Sequence, residues 1–284
     1  MIYDQKFNLL TKKRIMKSII TLIIILISSL YLISEEEKEV KLLTYNVLAD
    51  HKIKDQRLPS LFEILKKSNA NIIALQEVAP WFVEELKKEK WFKNYYVPKK
   101  KNKIVYPRGL LILSKEPIEE IEMNFLPSKQ RRAYLIVKTK IKLKTFYVAT
   151  CHLDSFLKDG VMRAKQLDLL FNKLSEHDNA ILLGDFNFGD NEMPETNHLN
   201  KDFIDVWKVT NKNEVGFTWN IEKSFMAQKG SFPKEKSRRI DRILIKSEVV
   251  NPIKTLIVGD KPIQKGSKIF PSDHFGLLST IMIK

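Results

Sequence analysis

The hydrophobic positions of this chain fall into short continuous runs, and most of the runs stop at an acidic, amide or imidazole residue. Asn71-Ile72-Ile73-Ala74-Leu75 leads into Gln76-Glu77, and Ala180-Ile181-Leu182-Leu183 into Gly184-Asp185-Phe186-Asn187. Apolar runs of about four to eight residues predict buried strands, and polar residues just beyond them project from one rim of a sheet. Strands are predicted over residues 40–45, 71–75, 110–113, 134–137, 144–150, 180–183, 240–245, 254–258 and 275–283. Helices are predicted over 58–68, 81–90 and 161–174; Leu167, Leu170, Phe171 and Leu174 mark the apolar face of the last. Residues 190–237 are polar and irregular, the character of substrate-facing loops.

With motif-bearing strand ends in both halves of the chain, these elements predict an α/β fold of two sheets packed face to face with helices outside. At 284 residues and 44% hydrophobic content the chain can hold one large domain, and no Gly/Ser-rich linker or internal repeat divides it. The expected organisation is a lead and hydrophobic segment over 1–34, an acidic spacer over 35–40 and a globular domain over 41–284.

Residues 15–33 carry one charge, Lys17, with Lys12-Lys13-Arg14 before them and Glu35-Glu36-Glu37 after. Nineteen residues is close to the ~20 that span hydrocarbon. The segment therefore predicts a membrane anchor or, with translation from Met16, a cleaved signal, and the flanking charges place residues 34–284 outside the cytoplasm. The expectation is a membrane-anchored or secreted protein.

The formal net charge is +15, and setting aside the six basic and five acidic residues of the first forty leaves +14 on the rest. Such an excess attracts a polyanion such as nucleic acid; lysine serving as solvated surface, as in Lys99-Lys100-Lys101, accounts for it equally well. The single cysteine, Cys151, excludes an intrachain disulfide, and inside an apolar run it reads as a buried, inert thiol.

Five segments gather the chemistry: Thr44-Tyr45-Asn46, Leu75-Gln76-Glu77, Cys151-His152-Leu153-Asp154-Ser155, Gly184-Asp185-Phe186-Asn187 and Ser272-Asp273-His274. The clustered donors are the oxygens of Asn46, Glu77, Asp185, Asn187, Asp241 and Asp273, with His152 and His274. There is no CxxC and no HExxH, which argues against zinc; oxygen donors with room for water suit Mg2+, or Mn2+.

Together with Arg239-Ile240-Asp241-Arg242, this ordered set resembles the endonuclease/exonuclease/phosphatase superfamily from about residue 40 to the C-terminus. The resemblance implies a four-layered α/β sandwich. Leu75-Gln76-Glu77-Val78, His152–Ser155 followed by Arg163 and Gln166, Asp205-Val206-Trp207, Phe217-Thr218-Trp219 and Ser272-Asp273-His274 are most similar to its tyrosyl-DNA phosphodiesterase 2 branch. Two arginines of that branch fall here on Leu157 and Gly189, and Tyr45–Asp50 looks more like the deadenylase branch.

The resemblance implies roles. Glu77 would hold Mg2+, with Asn46 and Asp273 close to it. Asp185 would position or deprotonate the attacking water, and Asn187 would hold the phosphate. His274, fixed by Asp241, would bind the scissile phosphate or transfer a proton, and His152 would donate to the transition state. Trp219 could stack on a base or close the rim of the core, and Arg108, Arg131 and Arg132 could face a phosphate backbone, with solvated surface charge the default reading. His51, His177 and His198 read as surface residues. The implied function is Mg2+-dependent phosphodiester hydrolysis of nucleic acid by a monomer. The alternatives are a secreted or membrane-held phospholipid phosphodiesterase or phosphatase, and a non-catalytic module of the same fold.

Overall fold

In the computed structural model of the protein, residues 16, 17, 19–24 and 39–284 are described. Residues 40–284 form one compact unit, Val40–Lys284. It contains two large sheets. The first has five strands in the order β12-β13-β1-β2-β5: β1 (Glu39–Asn46), β2 (Ile72–Gln76), β5 (Leu111–Ser114), β12 (Val250–Val258) and β13 (Gly276–Ile283). The second has six in the order β10-β11-β9-β8-β7-β6: β6 (Ile118–Phe125), β7 (Ala133–Ile141), β8 (Lys144–His152), β9 (Ala180–Asp185), β10 (Ile204–Asp205) and β11 (Asp241–Lys246). A two-residue pair, β3 (Lys99–Lys100) and β4 (Lys103–Ile104), stands apart from both.

The continuous apolar runs are explained by burial of both faces of the central strands. Alternate residues of β1 and β2 (Leu42, Ile72, Ala74) meet Leu135, Val148, Ile181 and Ile243 of the other sheet in the central core. Their neighbours Leu43, Tyr45, Ile73 and Leu75 pack outward on Leu61, Phe62 and Leu65 of α1 (Lys54–Ser68) and Phe82 of α2 (Pro80–Lys88). The outer face of the second sheet, with Ala149, Cys151 and Leu182, packs on Leu167, Leu170 and Leu174 of α3 (Gly160–Ser175). The result is the four-layered α/β sandwich. Cys151 is buried, as its apolar run requires.

Two parallel pairs set the position of the chemistry. β1 and β2 run parallel through the α1 crossover with Asn46 opposite Gln76, and β8 and β9 run parallel through α3 with His152 opposite Asp185. Parallel strands present their carboxyl ends at one rim, so each crossover brings two functional ends together. β11 pairs antiparallel with β9 and begins with Asp241 opposite Asp185. Just beneath the rim, Gln76 Nε2 donates to Thr150 Oγ1 at 3.0 Å, a polar tie between the sheets.

Three segments depart from the sequence pattern. β6 is not expected from the sequence because its residues Ile118–Phe125 carry Glu at 119, 120 and 122; it is an edge strand, exposed along most of its length. The region expected as irregular holds two short helices, α4 (Val206–Thr210) and α5 (Phe225–Gly230), capped by Asp205 and Ser224. The membrane-spanning helix expected over 15–33 falls largely outside the described residues, among which no helix is long and apolar enough to cross a membrane. Of that segment Met16, Lys17 and residues 19–24 are described, and are helical; the rest lies outside the described residues.

Candidate active site

Asp185, 1% exposed at the end of β9, is the hub of the rim. Its Oδ2 accepts from Asn46 Nδ2 at 3.0 Å and faces His152 Nε2 at 3.2 Å and His274 Nε2 at 3.7 Å; its Oδ1 accepts from the backbone N–H of Asn187 at 3.0 Å. Burial, chiefly, pushes the Asp185 carboxyl up to about 7, against the pull of His274, with Asp241 adding to the rise. The preceding Gly184 is required by packing, since a Cβ there would sit 2.3 Å from the Cys151 carbonyl oxygen on β8.

Asn46 joins the two sheets at this point. Its Nδ2 also donates to Glu77 Oε1 at 3.1 Å, while its Oδ1 turns back to accept from Leu48 N at 3.1 Å. The amide nitrogen therefore faces the carboxylates, and the oxygen expected near a metal does not. Glu77 follows β2 in the left-handed region at φ 60°, an arrangement that costs on the order of 1 kcal/mol or more for a non-glycine residue. Gly109, at φ 81°, makes room for that turn: a Cβ on it would lie 3.1–3.2 Å from Val78 N and Glu77 Cα. Glu77 Oε2 accepts from Ala49 N at 3.0 Å.

The two histidines are held in different charge states. His152 Nδ1 lies 3.0 Å from Arg132 Nη1, and a guanidinium can only donate, so the ring proton sits on Nε2 and points at Asp185. Burial, then Arg132 and His274, hold the His152 pKa well below the ordinary imidazole value, keeping it neutral. For His274 burial also disfavours charge, but Asp241 and Asp185 outweigh it and hold the pKa well above the ordinary value. Its Nδ1 donates to Asp241 Oδ2 at 2.9 Å. Thr218 aligns this pair: its Oγ1 accepts from Asp241 N at 3.0 Å, and its carbonyl from Phe275 N at 2.8 Å.

Asp273 adjoins His274. Ser272 Oγ donates to the Asn46 carbonyl at 2.7 Å and lies 3.1 Å from Asp273 Oδ1. Burial raises the Asp273 pKa, His274 opposes the rise, and the charge of Glu77 adds to it. A buried carboxylate whose proton affinity is raised by a second carboxylate beside it marks a site that a divalent cation would relieve. Asp241 Oδ1 is also buried without a partner. Oxygen donors of this kind fit Mg2+ or Mn2+. Asp185, Asp241 and His274 could also converge on an ion, their ligand atoms lying within 4.8 Å of one another, but both nitrogens of the charged His274 already face carboxylates.

Other expected site residues stand differently. Asn187 adopts φ 55° and its Nδ2 is committed to the Leu153 carbonyl at 3.0 Å, so that amide nitrogen is not turned to a phosphate. Trp219 is 8% exposed and its ring packs 5.0 Å from that of His274, so it backs the histidine and offers no free stacking face. Arg108 is exposed, with its guanidinium 5.1 Å from the Phe125 ring, and Arg131 is exposed. Arg132, expected at a phosphate backbone, is turned into the site instead. Leu157 and Gly189 border a cleft of about 450 Å³ with Lys234, Lys236 and Arg238. Arg163 and Gln166 brace the loop after His152: Arg163 Nη1 donates to the Asp154 carbonyl at 2.8 Å and Gln166 Oε1 accepts from Asp154 N at 3.1 Å.

The pattern of the Endonuclease/Exonuclease/phosphatase family matches residues 43–274. Tyrosyl-DNA phosphodiesterase 2 of Xenopus tropicalis is 27% identical over 264 residues, 88% of this chain and 68% of that protein. The same enzyme of Rattus norvegicus is 24% identical over 259 residues, again 88% and 68%. Among solved structures, D. rerio TDP2 complexed with single-strand DNA product superposes with a TM-score of 0.73 at 24% identity, covering 86% of this chain and 98% of that one. An endonuclease/exonuclease/phosphatase from Bacteroides vulgatus gives 0.67 at 17%, covering 87% and 99%. At those identities the structural likeness speaks for the fold. The extracytoplasmic location expected from residues 15–33 is overturned by the relatives that span most of this chain, which are named tyrosyl-DNA phosphodiesterase 2. With its pattern matched over most of its length and its relatives all phosphodiesterases, the chain belongs to the Endonuclease/Exonuclease/phosphatase family and is a phosphodiester hydrolase.

Proposed function

We propose that residues 41–284 form a Mg2+-dependent phosphodiesterase acting on DNA ends, with a 5′-tyrosyl end as the preferred substrate. The observation that carries this reading is the convergence of Asn46, His152 and His274 on the single buried carboxylate Asp185, beside Glu77. The relatives' name supplies the substrate class, and the +14 excess on residues 41–284 supports attraction to a polyanion.

Glu77 and Asp273 would hold the cation, which when bound supplies polarisation of a phosphoryl oxygen. Asn46 would orient Glu77 and Asp185 through its amide nitrogen. Asp185, with a pKa near neutrality, would take a proton from the attacking water. The His274 imidazolium would donate to the phosphate, with Asp241 keeping it charged. Neutral His152 would hold Asp185 through its Nε2–H and share that donor with the transition state. Water's oxygen joins phosphorus, and the bond to the tyrosyl oxygen breaks on the opposite face. The proton gained by Asp185 passes to solvent, and the leaving phenolate takes one from solvent water. The products are a 5′-phosphate and tyrosine.

The test is turnover of a 5′-tyrosyl oligonucleotide, plain single- and double-stranded DNA, RNA and sphingomyelin, side by side with Mg2+. The tyrosyl oligonucleotide should be turned over fastest, and faster cleavage of sphingomyelin would overturn the substrate class.

A further inference from the structure

We propose that Arg57, on α1 and outside the site itself, is the positioning residue that sets its two metal-facing loops against each other. The inference rests on the metal reading above. Arg57 is fully buried, and its guanidinium binds four backbone carbonyls: Nη1 donates to Val47 O at 2.7 Å and Pro271 O at 3.2 Å, and Nη2 to Leu48 O at 2.5 Å and Asp50 O at 3.0 Å. Three of these carbonyls belong to the loop after Asn46. The fourth immediately precedes Ser272-Asp273-His274, so one planar group spans both loops.

The first loop matters because its amides hold two site residues. Leu48 N donates to Asn46 Oδ1, and Ala49 N donates to Glu77 Oε2. Leu48 holds φ 58°, a left-handed conformation that persists only where the surroundings enforce it. The guanidinium grips both the Leu48 carbonyl and its neighbours, and so fixes the direction of the Ala49 N–H toward Glu77. On the other side, Ser272 Oγ donates to the Asn46 carbonyl, closing a ring from Arg57 through Pro271 and Ser272 back to Asn46. The guanidinium carbon lies over the Trp81 ring, 5.7 Å from its centroid.

No carboxylate is hydrogen-bonded to Arg57 among the described residues. Burial lowers its pKa, and the charges of Asp273, Asp50 and Glu77 oppose that fall. A lysine has one charged nitrogen and cannot reach four carbonyls in a plane, so charge alone does not replace this residue. Groups that orient metal ligands act on affinity: their loss raises the metal dissociation constant by about 10–100-fold.

The experiment measures Mn2+ binding by electron paramagnetic resonance on the full chain, well below its melting temperature, for wild type, Arg57→Lys and a remote core variant, Leu174→Ala. Arg57→Lys should raise the Mn2+ Kd by at least about tenfold, with the Mn2+ concentration for half-maximal activity rising in parallel. Leu174→Ala, which lowers the melting temperature without touching either loop, should keep the wild-type Kd. If Arg57→Lys does not fold, Trp81→Leu decides, with a smaller rise of about two- to fivefold expected. A folded Arg57→Lys, or failing that a Trp81→Leu, that binds Mn2+ as tightly as wild type overturns this inference and leaves the metal reading standing. A wild-type protein that binds no Mn2+ overturns the metal reading and this inference with it.

Discussion

Asn46 and Asp185 lie 139 residues apart and on different sheets, and Asn46 Nδ2 donates to Asp185 Oδ2 at 3.0 Å. That bond closes the rim of the sandwich over its central core. It also makes Asn46 an acid-to-acid bridge, since the same nitrogen donates to Glu77. Asn46→Ala should therefore disturb both carboxylates at once. Combined with Glu77→Gln it should show less than additive loss in turnover, whereas strict additivity in that double-mutant cycle would contradict the shared role.

Replacing Asp241 with Asn removes the charge that keeps His274 protonated. The sign comes from the raised pKa: wild-type His274 stays charged through neutral pH, and the variant's pKa falls toward the ordinary imidazole value. Turnover should drop by about 10²–10⁴-fold, and the alkaline limb of the pH–rate profile should move to lower pH. An unmoved limb would contradict the imidazolium assignment.

Arg132 acts on His152 by fixing which nitrogen carries the proton. Arg132→Met should lower kcat by at least about tenfold. Nitrogen NMR of the His152 ring should show Nδ1 gaining a proton while Nε2–H stays on Asp185, because the Arg132 charge that lowers the ring's pKa is gone. An Nδ1 that stays unprotonated in the variant would show that another group keeps it so.

Away from the chemistry, Asp190 and Asp205 neutralise the buried guanidiniums of Arg239 and Arg242; Arg239 Nη2 lies 2.7 Å from a carboxylate oxygen of each. Burial disfavours the Asp190 charge, but the two arginines hold its carboxyl far below the usual range. A lowered carboxylate pKa contributes stability above the unfolded value near 4 that is lost as pH falls toward the folded one. Asp190→Asn should cost about 1–3 kcal/mol at pH 7, below the cost of breaking a fully buried pair because this carboxylate is partly exposed. Thermal melts at pH 7 and pH 3 should show the gap from wild type narrowing at the lower pH; a constant gap would point to packing.

The central strands and the residues at their ends were legible because burial on both faces writes itself as an uninterrupted apolar run. Asp185, His152, Glu77 and Asn46 stand out as the polar residues on which those runs end. β6 was hidden by Glu119, Glu120 and Glu122, which suit an edge strand but break the apolar signal. The site's supports were less visible. Thr218 serves through a hydroxyl turned to backbone amides, and Arg57 through backbone carbonyls, Pro271 O among them 214 residues away, neither of which leaves a mark in local pattern. Trp219 reads as a stacking aromatic until its ring is seen against His274. Residues 15–33 carry the composition of a membrane span, and most of that segment lies outside the described residues.

The central claim is that Asp185 activates water for attack on a DNA 5′-phosphotyrosyl bond beside a cation held at Glu77. The most direct measurement tracks a 5′-tyrosyl oligonucleotide incubated with the full chain and Mg2+, alongside Asp185→Asn, Glu77→Gln and an EDTA-treated sample. The account predicts a 5′-phosphate oligonucleotide and free tyrosine from the wild type. It also predicts turnover lower by on the order of 10³-fold in either variant and none after chelation. Full activity after exhaustive chelation, or an Asp185→Asn enzyme retaining more than about a tenth of wild-type turnover, would contradict it.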